Sequence, residues 1–201
     1  MASRLDLTNL VIFARRPTIG VGKRRLAAAI GDVEALRFQR GAIDGLLRRL
    51  TGDPRWRTTV AVSPDRPVGW LRGRAAATPQ GAGDLGRKLV RVSRRFPVGR
   101  LVIIGSDTPT VTRADIAAAF DALRSHDAVL GPARDGGYWL IGLRRSARGP
   151  LPFDGIRWSS PDTLADTLAR LQGLRVATQR TQEDIDDEAS LKRLRARAQR
   201  P

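Results

Sequence analysis

Cysteine is absent from the 201 residues, which excludes disulfides, thiolate nucleophiles and zinc held by Cys. A single histidine, His126, leaves too little for a Ser-His triad or a multi-histidine metal site. Any metal must therefore sit on oxygen ligands, which favours Mg²⁺ or Mn²⁺. Long apolar runs are missing as well. Leu10–Ala14 and Leu101–Ile104 fall far short of the ~20 residues that a spanning helix needs. The opening MASRLDLTNL has neither a long apolar region nor a small-residue cleavage site, so a cytoplasmic protein is expected, with no membrane partner. Lysine is scarce: of 36 basic residues only Lys23, Lys88 and Lys192 are lysines, and with 20 acidic residues the formal net charge is +16. Such an arginine excess is as compatible with GC-rich coding as with an anion site. The arginines are dispersed and no aromatic-basic stripe accompanies them, so nucleic acid is not an expected partner.

What is present suits one α/β domain over 1–201: 41% hydrophobic and 28% charged residues, enough for a packed core. Leu10–Ala14 and Arg100–Gly105 are continuous apolar runs, the pattern of strands buried on both faces. Further strands are expected at Thr58–Ser63, Ala75–Ala77, Ala128–Gly131, Tyr138–Leu143 and Leu174–Ala177. Apolar spacing predicts helices from about Lys23, then at Val33–Leu50, Asp84–Phe96, Arg113–Arg124, Pro161–Gln172 and Ala189–Ala198, with 190–201 expected to fray. Thr112 and Asp115 form a capping-box-like start, and Ser160 is the expected cap of the helix after it. Alternating strands and helices imply a mostly parallel sheet with helices on both faces, Rossmann-like in class. Ligands of such sheets lie beyond the carboxyl ends of the strands, which directs attention to the loops after Ala14, Ala77 and Gly105.

Three loops there carry chemistry. In Ala14–Arg25, Gly20 and Gly22 let backbone N–H groups approach an anion, while Arg15, Lys23 and Arg25 supply positive charge at a helix start. The loop is not a Walker motif, because Pro17 stands where its first glycine belongs and Arg24 replaces the Ser/Thr. In Ile103–Thr112, a buried strand ends in Gly-Ser-Asp, which puts Asp107 where a carboxylate can hold a metal against phosphate. In Arg180–Leu191, Asp184 and Asp186 alternate and so share one side of an extended backbone. Either this segment supplies a second metal ligand, or its acids cap the last helix, for which Asp187 and Glu188 are suited. Gln80, Gly83 and Asp84 either read a nucleotide base or ribose, or cap the helix that follows. Asp135, beside Gly136-Gly137, is either a hairpin turn or a carboxylate over the substrate.

Taken in order, Phe13–Ala27, Gln80–Gly86, Gly105–Pro109, Gly131–Leu143, Trp158–Ser160 and Asp184–Leu191 cover nearly the whole chain. They resemble a bacterial family of small glycosyltransferase-like proteins with the GT-A fold, the nucleotide-diphospho-sugar transferases, some of them named for arsenosugar biosynthesis. That superfamily also holds the guanylyltransferases of molybdenum cofactor and of phospholactate. The resemblance implies an open sheet that binds a nucleotide sugar or NTP. Asp107 and Asp186 would hold the divalent ion and Lys23 and Arg25 would face the phosphates. Three departures stand out: Arg24 for the usual Thr, Arg87 where an acidic residue is common, and Asp187-Glu188 where the family has Thr after Asp-Ile-Asp.

The first reading is thus a metal-dependent glycosyltransferase with a nucleotide-sugar donor and a small-molecule acceptor, with Asp135 as candidate base. The alternative is a nucleotidyltransferase that joins an NTP to a small phosphate or carboxylate and releases pyrophosphate. A nucleic-acid-binding protein, and a relative that binds nucleotide without turnover, are the readings from other classes.

Overall fold

The computed structural model describes residues 7–66, 69–71, 73–146 and 149–198. The opening residues 1–6, residues 67, 68, 72, 147 and 148, and the tail 199–201 lie outside them. Among the described residues there are seven strands and six helices. They run β1 (Thr8–Arg15), α1 (Arg24–Ile30), α2 (Asp32–Leu50), β2 (Arg57–Ser63), β3 (Ala76–Pro79), α3 (Leu85–Ser93) and β4 (Gly99–Gly105). Then come α4 (Arg113–Ala122), β5 (Ala128–Pro132), β6 (Tyr138–Arg145), α5 (Thr163–Arg170), β7 (Val176–Thr178) and α6 (Glu188–Ala198).

The sheet order is β3-β2-β1-β4-β6-β5-β7. All neighbours are parallel except those of β6, which is antiparallel to β4 and to β5. The mostly parallel sheet expected from the sequence is therefore present, with one reversed strand set inside it by the Asp135-Gly136-Gly137 turn. The chain builds outward from β1 through β2 to β3, then returns to β1's other side with β4. This reversal opens a crevice at the carboxyl ends of β1 and β4.

Period-two alternation divides the buried strands between two cores. Leu10, Ile12, Val102 and Ile104 face α2 and α4, where Ile43, Leu46, Leu47, Leu50, Ile116 and Phe120 meet them. Val11, Leu101 and Ile103 face the other side, where Leu89 and Val92 of α3 and Phe153 pack. A continuous apolar run is thus what a strand covered by helices on both faces requires. A third, smaller cluster joins Leu26, Ala35, Ile185 and Leu191, tying α1 and α2 to α6 and to the Asp-Ile-Asp segment. Among the described residues no helix is long and apolar enough to cross a membrane.

Several boundaries differ from the expected ones. α3 ends at Ser93 rather than Phe96, because Arg95 and Phe96 donate to carbonyls three residues back and tighten the chain into turns. Ser160 is not the cap of α5. The helix begins at Thr163, and the Ser160 hydroxyl instead accepts from Asp162 N–H in the turn before it (3.2 Å). β7 starts at Val176, two residues later than expected, after Leu174 N–H closes a turn onto Leu171. β6 runs on to Arg145 because its register with β4 extends to Gly99. His126 sits in the turn after α4 with Nδ1 3.1 Å from Ala122 O.

Candidate functional site

The crevice is closed by backbone before any side chain enters it. Ser106 N–H donates to Phe13 O (3.1 Å), fastening the loop after β4 to the end of β1. Ile185 N–H donates to Asp107 O (3.0 Å), which lays the Asp184–Asp186 segment along that loop. Two further ties hold the segment: the Thr110 hydroxyl donates to Gln182 Oε1 (2.6 Å), and Arg180 makes a two-point contact with Asp115 (2.7 and 2.8 Å). Asp115 also completes the expected capping box of α4. A helix cap and the second acidic loop therefore share one carboxylate.

Asp107 and Asp186, the two candidate metal ligands, converge on one point. Lys23 Nζ occupies it, 2.7 Å from Asp107 Oδ1 and 2.8 Å from Asp186 Oδ1, and its third proton goes to Ile185 O at 2.7 Å. The lysine side chain is 5% exposed while the carboxylates are about half exposed, so the ammonium lies beneath and the acids open to solvent. Burial pulls the Lys23 pKa down, but the charges of Asp107 and Asp186 outweigh it and hold the amine above the ordinary lysine value. Lys23 also adopts a left-handed backbone (φ 48), a conformation that non-glycine residues rarely take. Gly20 and Gly22 share this positive φ (70 and 76), so the loop coils tightly enough to turn Lys23 inward. Because α1 has only seven residues, positive charge in this loop comes from its side chains more than from a helix dipole.

Sequence reasoning noted Asp184 but gave it no role. It lies partly buried beside Asp107 and accepts a hydrogen bond from the Thr108 hydroxyl. Burial, together with the charges of Asp107, Asp135 and Asp186, pushes its pKa up to about 6, against the lowering effect of Thr108. Three carboxylates thus act on Asp184, and the Asp-x-Asp alternation is the sequence signal for its place beside Asp186. Among the described residues no three acidic or histidine side chains stand close enough to enclose a metal ion. Two carboxylates on one cation position nevertheless form an open oxygen site of the kind that Mg²⁺ completes with waters and substrate phosphates.

The remaining candidates divide. Arg15 and Arg25 are exposed at the mouth, and Arg25 lies near enough to Asp187 to help lower that acid's pKa after its bonds from Ser190. Ala14 is buried, and its carbonyl accepts from Gln80 Nε2 (3.4 Å). Gln80 is buried too and donates to Ala61 O at 2.8 Å, so its amide joins the ends of β1 and β2. Asp84 caps α3 by accepting from Arg87 N–H (2.8 Å), the bland alternative weighed for it, with Gly83 exposed before it at φ 105. Asp135 is exposed, and its Oδ1 accepts from Gly137 N–H (2.9 Å) in the turn between β5 and β6. Gly136 holds that turn against α5: a Cβ there would meet Pro161 Cα at 2.5 Å. Trp158 packs on Gly86, where a Cβ would lie 2.6 Å from the indole nitrogen, so the Trp-Ser-Ser and Gly-Asp-Leu-Gly segments are neighbours.

Residues 46–160 match the family DUF2064, described as an uncharacterized protein conserved in bacteria. The chain belongs to this family. The DUF2064 match takes in Gln80–Gly86, Gly105–Pro109 and Gly131–Leu143, while Lys23 and Asp186 lie on either side of it. Across 143 residues the chain is 30% identical to the 3-phospho-D-glycerate guanylyltransferase of Phenylobacterium zucineum (strain HLK1), over 66% of this chain and 65% of that protein. A crystal structure from Desulfovibrio desulfuricans G20, provisionally designated a nucleotide-diphospho-sugar transferase, superposes with a TM-score of 0.88 at 27% identity, over 96% of this chain and 87% of that one. The 4-diphosphocytidyl-2C-methyl-D-erythritol synthase of Anaerococcus prevotii DSM 20548 superposes at 0.62 over both whole chains with 13% identity, a likeness of fold alone. The nucleotide-diphospho-sugar transferase fold expected from the sequence is the fold of this DUF2064 chain.

Proposed function

We propose that the chain is a nucleotidyltransferase that takes an NTP, GTP first among them, and joins its nucleoside monophosphate to a small phosphorylated acid. The observation that carries this reading is the convergence of Asp107 and Asp186 on one cation position at the carboxyl ends of β1 and β4. Its support from relatives is the guanylyltransferase likeness, which makes 3-phosphoglycerate the acceptor to try first.

Asp107 and Asp186 fit a resident Mg²⁺ or Mn²⁺, which when bound would neutralise phosphate charge. Lys23, relieved of the two carboxylates, would turn the two protons they hold to the β- and γ-phosphates, and Arg15 and Arg25 would meet the same group from the mouth. The acceptor's phosphate oxygen attacks the α-phosphorus; that O–P bond forms as the α–β bridging bond breaks, and pyrophosphate leaves. An ionised phosphate is already a nucleophile, so this reaction needs no base. The exposed position of Asp135 and the engagement of its Oδ1 in a turn agree with that.

Glycosyl transfer from a nucleotide sugar is the second reading, favoured by the D. desulfuricans likeness. There Asp135 would serve as the base for an acceptor hydroxyl. The products separate the two. Pyrophosphate formed from GTP only when 3-phosphoglycerate or a similar acid is added, with Mg²⁺ present, supports nucleotidyl transfer. A nucleoside diphosphate released from a nucleotide sugar, with no pyrophosphate from any NTP, overturns it in favour of the second.

A further inference from the structure

α3 carries Arg87 and Arg91 on one face, and Arg94 and Arg95 continue that face through the cap and turn that end the helix. That face is one wall of a cleft of about 1130 Å³, the 149–158 segment with Phe153 is the other, and Arg145 from the end of β6 also lines it. The cleft extends away from the catalytic crevice. Arg145 pairs with Gly99 at the start of β4, whereas Asp107 follows the other end of that strand, about 20 Å along it.

Elsewhere arginines find carboxylates, as Arg55 does with Asp53 (2.7 Å) and Arg157 with Asp166 (2.8 Å). None of the five cleft arginines has an acidic partner within 4.0 Å among the described residues, although Asp84 and Asp154 stand on the rim. Arg91 donates to Gln80 O (2.7 Å) and Ala82 O (3.1 Å), whereas Arg87, Arg94 and Arg95 are exposed. Arg145 is the decisive member. It is 6% exposed and, among the described residues, its Nε has no partner and its one side-chain hydrogen bond is a long one to Gly149 O (3.4 Å). A guanidinium taken out of water without a counter-ion is an arrangement that an anion completes.

We propose that this cleft is a second binding site, separate from the Asp107 crevice, for a small molecule bearing a chain of phosphate groups held by Arg94, Arg95 and Arg145. Guanidinium forks match phosphate oxygens two at a time. The row from Arg87 in α3 to Arg95 just after it extends about 12 Å, longer than one carboxylate can engage. Inorganic polyphosphate and the tail of a nucleoside triphosphate share this chemistry.

Calorimetric titration of the full chain with inorganic tripolyphosphate, in EDTA to keep divalent ions out of the crevice, tests the site. Arg94 and Arg95 are exposed, so R94E/R95E leaves the fold intact, which its melting curve checks. The wild type binds one tripolyphosphate, and R94E/R95E and R145Q each weaken it by about tenfold or more. R48E/R124E, the same charge reversal at exposed positions elsewhere, and R25A change it by less than about threefold. GTP in the same assay ranks nucleoside against inorganic phosphate chains, and competition with tripolyphosphate for the cleft supports the site. Equal loss in R48E/R124E would reduce the effect to net charge, and loss in R25A instead of R94E/R95E would move binding to the crevice. Either result overturns the proposal, as does tighter, length-dependent binding of a single-stranded oligonucleotide.

Discussion

Lys23 Nζ lies 2.7 Å from Asp107 Oδ1 and 2.8 Å from Asp186 Oδ1, so one ammonium occupies the point where both candidate metal ligands meet. Replacing it with methionine keeps the apolar stem and leaves two carboxylates without a counter-charge. We expect Lys23→Met to lose about 1–3 kcal/mol of stability, less than a fully buried pair would because both acids are half exposed. Mn²⁺ should then raise the melting temperature of the variant more than that of the wild type, since a cation at that point replaces the missing ammonium. No effect of Mn²⁺ on either protein would remove Asp107 and Asp186 as a cation site.

Asp184 supplies a pH test. Its pKa in the fold, about 6, stands above its ordinary value of 3.8. The folded state therefore binds the proton more tightly than the unfolded chain. No penalty exists below the unfolded value; it grows as pH rises through 4 to 6 and is complete above that. Asp184→Asn keeps an oxygen to accept from Thr108 and removes the ionisation. The variant should equal the wild type in stability near pH 4 and exceed it by about 1–3 kcal/mol at pH 7 and above without metal, read from denaturant melts. A constant difference across that range would show that Asp184 does not titrate there.

Asp115 couples a helix cap to the acidic loop. It accepts from Thr112 N–H (2.8 Å) and from Arg180 Nε (2.7 Å). Asp115→Ala removes both, at an expected cost of about 2–4 kcal/mol. Because Arg180 then loses its anchor, amide hydrogen exchange should quicken over 180–186 as well as at the start of α4. Quickening confined to α4 would mean that the loop is held by Gln182 and Ile185 alone.

Local features were legible in the sequence and long-range ones were not. The β4 run and the Thr112–Asp115 box both rest on neighbouring residues, and each stands where spacing placed it. Spacing also led to Asp107 at the end of the β4 run, while Asp186 needed the family resemblance beside its alternation with Asp184. It could not show that Lys23 would reach them, since that contact depends on a left-handed residue and on a segment 163 positions away. Gln80 is the converse case: a polar residue in a ligand-facing loop whose amide lies buried against two strand ends. Nor could it show Arg145 buried, because the last residues of β6 are ordered by pairing with β4 rather than by their own apolarity.

Asp135 distinguishes the two reactions. An acceptor hydroxyl must lose a proton as it attacks a sugar, and a positioned carboxylate speeds such a step by about 10²–10⁴-fold. An ionised phosphate acceptor has no such proton. Asp135→Asn can keep its acceptor oxygen toward Gly137 N–H, so the turn that rests on Pro161 survives. If nucleotidyl transfer is the reaction, kcat of this variant stays within about threefold of the wild type, while Asp107→Asn loses about a thousandfold or more with an unchanged fold. A fall of a hundredfold in Asp135→Asn, with an unchanged melting temperature, would instead assign the carboxylate to proton removal and the chain to glycosyl transfer.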